Sequence, residues 1–277
     1  MGFRFSKKII VPLLALILVS ASAWSAPRPF RVVIDPGHGG ADLGAIYQKG
    51  SERLAEKDLT LLLSQQVARR LRARGFQVTL TRDDDREVAL PTRTALANKL
   101  NADVFLSIHM NSTANPSSAD AVGIETYILN GTSDASSKRL AHLENSVLGE
   151  SDAAHDSQEN LDVALILKDL QLDANQGESK RLACHVQSQL VASTMGNRLS
   201  PRNRGVRQAL FHVLLGADMP SVLVEAGFIS NPQDRSLVLS TRGQTQMSEA
   251  IAAAIDRFRL QKGTAEARST LSRCQVR

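Results

Sequence analysis

Arg31-Val32-Val33-Ile34-Asp35-Pro36-Gly37-His38-Gly39-Gly40 is the stretch on which the fold turns. Its opening residues are mostly β-branched and read as a short buried strand. The glycines after Pro36 allow a sharp turn in which the backbone approaches a neighbour closely. A helix pattern follows, with Leu59, Leu62, Leu63, Val67 and Leu71 recurring at helical spacing until Gly75. Gln77 to Leu80 then reads as a second strand, Pro91 opens a second helix, and Val104 to Ile108 supplies a third strand. That alternation is the rhythm of an α/β domain. Gly123 to Leu129 adds a strand, and Asn130-Gly131 turns the chain into a long helical stretch. Ala209 to Leu215 and Ser221 to Val224 return to strand, and a final helix covers roughly Gln244 to Phe258. The expectation is a single α/β domain over residues 30–260, with a mostly parallel or mixed twisted sheet flanked by helices and a long helical insertion at 131–207. With 277 residues and 43% hydrophobic content, the chain can bury the core of one such domain. Residues 261–277 hold too little apolar material for a packed element and read as a mobile tail.

The first residues have the grammar of export. Arg4, Lys7 and Lys8 precede the apolar run Ile9 to Val19, and Ala21-Ser22-Ala23 offers a small-x-small cleavage site, so residues 1–23 read as a secretory signal peptide. A retained anchor is the competing reading. The run is short for a bilayer and contains Pro12, so no stable membrane anchor is expected after cleavage, and the location is periplasmic or secreted. Those three basic residues, with no acid among the first 23, account for three units of the formal net charge of +5, so the basic bias is mostly in the leader. With no recognisable nucleic-acid module either, nucleic acid is not an expected partner. Export permits a disulfide between Cys184 and Cys274, but Cys274 falls in the polar tail, and free thiols are read at least as readily.

Three strand-like runs end in groups that bind metal or move protons: Val33-Ile34 before His38, Leu106-Ser107-Ile108 before His109, and Val222-Leu223-Val224 before Glu225. In open α/β sheets functional groups gather at the carboxyl ends of strands, so residues far apart in sequence can meet there. A fourth group, Glu56, sits where a loop enters a helix. Two imidazoles and one carboxylate are the usual protein ligands of a catalytic zinc, which leaves a further carboxylate as base. Singly, each residue has a plain structural reading: an incidental histidine in a glycine turn for His38, a satisfied core histidine for His109. Glu225 is harder to explain that way, because an unpaired carboxylate after three apolar strand residues is costly to bury. The glycine turn lacks the lysine and hydroxyl residue of a phosphate loop, which ranks nucleotide binding below metal binding. The run Asp83-Asp84-Asp85 reads as a solvated turn, because adjacent residues cannot all face one ion.

Taken together, the motifs resemble those of the zinc-dependent N-acetylmuramoyl-L-alanine amidases, in particular the catalytic domain of the bacterial cell-division amidases. The resemblance is carried by Ile34 to Gly40, Asp42, Gly44-Ala45, Glu56-Lys57-Asp58-Leu59, Leu80-Thr81-Arg82, Arg93, Ser107-Ile108-His109 and Ser221 to Pro232. It implies Zn2+ held by His38, Glu56 and His109, with Glu225 as catalytic acid/base, and peptidoglycan as substrate in wall remodelling and daughter-cell separation. Glu52 stays open as an alternative to Glu56, because the interval from His38 to Glu56 is slightly longer than in close relatives. Asp35 or a backbone carbonyl is the expected orienting partner of the His38 ring, and Arg82 and Arg93 are expected to organise structure. A zinc peptidase acting within the stem peptide and a non-catalytic wall-binding protein are the alternative functions.

The resemblance also gives the insertion a role, since in the division amidases the corresponding segment carries a helix that occludes the zinc until an activator with a LytM-type domain displaces it. Here Leu140 to Val147 reads as helical, and Glu144, Glu150, Asp152, Asp156 and Glu159 cluster in and beyond it. Glu144 is the chosen autoinhibitory ligand. The apolar stretch Leu161 to Leu172 is the expected grip for an activator.

Overall fold

The computed structural model describes residues 28–113, 121–146, 158–194, 202–261, 264 and 274–276, with the side chains of 158–174 excepted. The leader expected at 1–23 lies outside them. Among the described residues, no helix is long and apolar enough to cross a membrane.

The chain opens with β1 (Arg31–Pro36), then a hairpin of β2 (Ile46–Lys49) and β3 (Glu52–Ala55), then α1 (Glu56–Ala73) and β4 (Gln77–Leu80). Leu59, Leu63, Val67 and Leu71 form the buried stripe of α1, and Gly75 at φ 81° lets the chain turn back into β4. Next come α2 (Leu90–Lys99), β5 (Val104–Asn111), β6 (Ile124–Leu129), α3 (Ala135–Asn145) and α4 (Gln158–Thr194). Then follow β7 (Asn203–Ala209), a 3-10 turn at His212–Leu214, β8 (Ser221–Phe228), α5 (Pro232–Leu239) and α6 (Thr241–Leu260).

Six strands form one sheet in the order β4-β1-β5-β8-β6-β7. Neighbours from β4 to β8 are parallel, β6 is antiparallel to β8, and β7 is parallel to β6. Of the two arrangements expected for the sheet, mostly parallel or mixed, the mixed one forms. Alternation along the strands sorts their side chains into two cores. Val32, Ile34, Leu106, Ile108, Val222 and Val224 pack with α1, α4 and α6. Val33, Phe105, Tyr127 and Leu223 pack on the other face with α2, α3 and the 3-10 turn. By the same alternation His109, Glu225 and Glu125, which are register partners on β5, β8 and β6, share that second face.

Several expectations are corrected here. The strand expected over Ala209 to Leu215 runs instead over Asn203–Ala209, where it pairs with β6 from Ile124↔Asn203 to Leu129↔Ala209. Phe211, Val213 and Leu214 are apolar because they are buried in a turn, whose following carbonyls at Leu215 and Gly216 accept hydrogen bonds from Thr94 and Asn98 of α2. The segment before α1 is a hairpin rather than a loop. The helix expected at Leu140 begins earlier, because Asp134 caps it by accepting the Ser137 amide at 2.8 Å. The C-terminal end, read as a mobile tail with the disulfide left open, returns to the sheet: Val276 bridges Val206 in parallel, and Cys274 is disulfide-bonded to Cys184 of α4 with Cα atoms 6.0 Å apart. Chain return over 90 residues is what the spacing in sequence did not display.

Candidate metal centre

The turn after β1 presents His38 in the left-handed region, at φ 61°, a conformation that side-chain-bearing residues rarely adopt. Buried guanidinium groups hold it there. Arg82 donates to the carbonyls of Pro36 and Gly37 at 3.0 and 2.7 Å, and Arg93 donates to those of Pro36 and His38 at 2.9 and 3.1 Å. Both arginines therefore organise the turn, as expected. Lys57 and Asp85 close it from outside, with Lys57 Nζ donating to the Gly40 carbonyl at 2.9 Å and Gly40 N–H donating to Asp85 at 2.8 Å. Asp85 thus has a structural task, while Asp83 and Asp84 are solvated.

Asp35 does not orient His38. It is buried beneath the turn, where it accepts from Arg93, Thr81 and Ser107. Burial works against its charge, but Arg93 and the two hydroxyls prevail and hold its pKa below the usual value. The orienting carboxylate is Asp42, whose Oδ2 accepts from His38 Nδ1 at 2.8 Å. That contact assigns the proton to Nδ1 and leaves Nε2 to face the cluster. Asp42 had been noticed only as part of a motif, although an acid four residues after a turn histidine was the available signal.

Glu56 is the first residue of α1, where the helix dipole favours an anion. Its Oε2 accepts the Ala45 amide at 2.9 Å and its Oε1 accepts the Met110 amide at 2.8 Å. The Met110 amide lies where the β5–β8 register shifts between His109 and Asn111. Burial alone would raise the Glu56 pKa. The His38 and His109 imidazoles overrule it and hold the carboxyl well below its ordinary range. Glu52, the alternative, lies exposed at the start of β3 and outside the cluster.

His38, Glu56, His109 and Glu144 converge, each offering one ligand atom, with all of these atoms within 4.8 Å of one another. His38 Nε2 is 3.1 Å from Glu56 and 3.1 Å from Glu144; His109 Nδ1 is 3.2 and 2.9 Å from the same carboxylates. Those distances bring opposite charges together without hydrogen-bond alignment, and His38 Nε2, His109 Nδ1 and Glu144 Oε2 are buried with no hydrogen-bond partner among the described residues. Burial disfavours a charged His109, but Glu144 and Glu56 push its pKa up to about 10. Such a set, two imidazoles facing two carboxylates within a few ångströms, is a donor set for a divalent cation. Two imidazoles with carboxylate oxygens suit zinc, so the residues present fit that ion.

Glu225, on β8 beside His109, is fully buried, and neither of its oxygens has a hydrogen-bond partner among the described residues. Burial first, then the nearby charge of Glu144, pushes its pKa well above the ordinary carboxyl value. Glu144 reaches the cluster from α3. Of the other acids expected around it, Glu150, Asp152 and Asp156 lie outside the described residues, as does the side chain of Glu159. Leu161 to Leu172 falls within α4, and its side chains also lie outside them. Sequence reasoning missed Glu125, which accepts from Asn111 at 3.0 Å, from Tyr127 at 2.7 Å and from Arg204. The signal was a charged residue at an inward position of a buried strand.

An open α/β sheet with imidazoles and carboxylates gathered toward the carboxyl ends of its strands is the arrangement of a hydrolase whose site could hold a metal ion. Comparison with known proteins makes this specific: the N-acetylmuramoyl-L-alanine amidase family (Amidase_3) matches residues 32–257, and the chain belongs to that family. It is 34% identical over 245 residues to the N-acetylmuramoyl-L-alanine amidase AmiC of Neisseria meningitidis serogroup B, a match that covers 84% of this chain and 56% of that protein. It is also 34% identical over 226 residues to AmiA of Escherichia coli K12, which covers 81% of this chain and 74% of that one. The crystal structure of an N-acetylmuramoyl-L-alanine amidase from Clostridium difficile 630 superposes with a TM-score of 0.62 at 29% identity, covering 85% of this chain and 99% of that one.

Proposed function

We propose that this protein hydrolyses the amide between N-acetylmuramic acid and the first L-alanine of the peptidoglycan stem, with zinc held by His38 Nε2, Glu56 and His109 Nδ1. The observation that carries the reading is the pairing of a convergent four-residue donor cluster with a buried, unpartnered Glu225 on the neighbouring strand position. Bound zinc supplies a Lewis acid for the amide carbonyl and a water acidified to near neutrality. Glu225 does the proton work. Its raised pKa suits a group that accepts a proton from the attacking water and returns it to the departing alanine nitrogen. Asp42 fixes the His38 tautomer, and the two backbone amides on Glu56 hold its carboxylate in place.

Glu144 would be a fourth ligand beside the three that hold the ion. Its place against both imidazoles supports an autoinhibitory role, with α3 displaced by a partner such as a LytM-domain activator. We assign residues 30–260 to the catalytic domain, with the regulatory insertion at 131–207. Residues 1–23 are the signal peptide of a periplasmic or secreted enzyme acting in cell division. Shortening the segment between Ser133 and Asn160 is expected to raise dye release from labelled peptidoglycan; an intact enzyme already as active as the trimmed one would sink this part.

Mass analysis of fragments released from peptidoglycan tests the activity itself. Free, full-length stem peptides are expected. Shortened stems would make the protein a peptidase within the stem, and no release by zinc-loaded, trimmed protein would make it a wall-binding module.

A further inference from the structure

Beside the metal cluster, under α3, lies a cavity of about 190 Å³ whose walls include Asn111, Glu125, Tyr127, Arg139, Arg204 and Phe228. It is smaller than a site for a whole sugar-peptide and of a size for one functional group of it. Its floor is built. Glu125 is 2% exposed and pairs in register with Glu225, so the cavity begins one strand away from the proton-carrying carboxyl. Arg204 Nε donates to Glu125 Oε1, and the Arg204 guanidinium lies over the Phe228 ring at 5.1 Å from its centroid. Arg207 approaches the same Glu125 oxygen at 3.4 Å and donates to Asp134, the cap of α3, at 3.0 Å.

Counting charge shows what this site wants. With α3 docked, Arg204, Arg207 and the helix's own Arg139 face Glu125 and Asp134. Displacing α3 carries Asp134 and Arg139 away together and leaves the two guanidinium groups of β7 around one carboxylate, at the bottom of the cleft just opened. A surplus positive charge on a framework strand, braced by an aromatic face, recognises a carboxylate.

We propose that Arg204 is a specificity-determining residue that binds a free carboxylate of the substrate's stem peptide. The inference rests on the amidase reading above and adds a direction to it. In the substrate the lactyl carboxyl group is consumed in the scissile amide, so a free carboxylate near that bond belongs to the peptide. The peptide therefore leaves Glu225 over β6 and β7, and the sugar lies on the β1 side.

The test compares two soluble muramyl peptides that differ only in whether the carboxylate nearest the scissile bond is free or converted to a primary amide. Both are offered to the zinc-loaded full chain carrying Glu144→Ala, with and without Arg204→Gln or Arg139→Gln. Without the Arg204 change, kcat/KM is expected to favour the free acid by roughly 10-fold, mainly through KM, the size of one charged hydrogen bond. Arg204→Gln should lower kcat/KM for the acid by about that factor, leave the amide nearly as before, and bring the ratio close to one. Arg139→Gln, on the departing helix, should keep the preference. Equal cleavage of the two substrates before the Arg204 change, an unchanged ratio after it, or loss of the preference through Arg139 instead would each overturn the proposal. Equilibrium binding of the corresponding labelled stem peptides keeps it separable from catalysis. A preference for the acid that Arg204→Gln abolishes supports the subsite even where no amide is cleaved, an outcome that would sink the amidase reading alone.

Discussion

The two sides of the candidate metal centre are built differently. On the β1–β5 side, three successive carbonyls, Pro36, Gly37 and His38, accept from buried arginines, and Glu56 accepts two backbone amides. On the β6–β7 side, α3 is docked by Leu140 and Ala141 in the second core and by polar contacts at its two ends. Asp134 meets Arg207 at 3.0 Å, and Asn145 donates to the Leu210 carbonyl and accepts the His212 amide, each at 2.8 Å. Leu143, the neighbour of Glu144, is 49% exposed. The proposed ligands His38, Glu56 and His109 sit on the more heavily braced part, and Glu144, the proposed block, sits on the part with fewer polar contacts, which is the division the autoinhibitory reading requires.

The sharpest way to test that division is at Glu225. Glu225→Gln is expected to cut turnover by roughly a thousandfold or more while zinc content stays stoichiometric, because a proton carrier is not a ligand. His38→Ala and His109→Ala should lose both activity and metal. Metal analysis of the purified variants decides it, and an emptied Glu225 variant would remove the role assigned to that residue. Next in size, Glu56→Ala should weaken zinc binding by more than the roughly 10–100-fold that a supporting residue costs, whereas the exposed Glu52→Ala should leave it within about 2-fold. Competition with a zinc indicator measures this, and the reverse order would transfer the ligand role.

The remaining two predictions probe the yielding side. Cys274→Ser opens a loop spanning 90 residues and frees the segment that bridges β7, so a loss of about 2–4 kcal/mol is expected, seen as a lower Tm. Zinc affinity should not change, and an equal loss there would mean that the two sides are one mechanical unit. Smallest of all, Asn145→Ala removes two hydrogen bonds at the end of α3 and should raise basal dye release by about 5-fold, corresponding to about 1 kcal/mol. No increase would show that the buried residues of α3 hold it without help from its end.

Much of the first side was legible in the sequence, because its strands and α1 announce themselves through uninterrupted local patterns: Val32 to Ile34, the leucine stripe of α1, Val104 to Ile108. Local pattern also put His38, His109 and Glu225 beyond the ends of apolar runs. The second side was harder to read for a physical reason. Phe211 to Leu214 is apolar because α2 packs nearby, not because it is a strand, and nothing within the run reveals that. The Asp42–His38 contact, the Glu125 network and the return of Cys274 are pairings whose partners are chosen by the folded chain. Sequence alone could name Glu144 only by way of a family resemblance; its distance from the imidazoles is a property of how α3 lies across the sheet.

The strand order has a consequence for when the molecule comes into being. β8 is the last strand of the sheet to be synthesised before the C-terminal segment, yet it lies between β5 and β6, in the middle. Until roughly a hundred further residues follow β5, on the order of ten seconds of translation, the growing chain has two sheet fragments with unpaired edges and no Glu225 between them. No shorter nascent chain contains the complete site. Before β8 is made the chain lacks the residue proposed to carry the proton, and its unpaired strand edges are open to mispairing with other copies, which makes this interval the stage at which a chaperone would matter most.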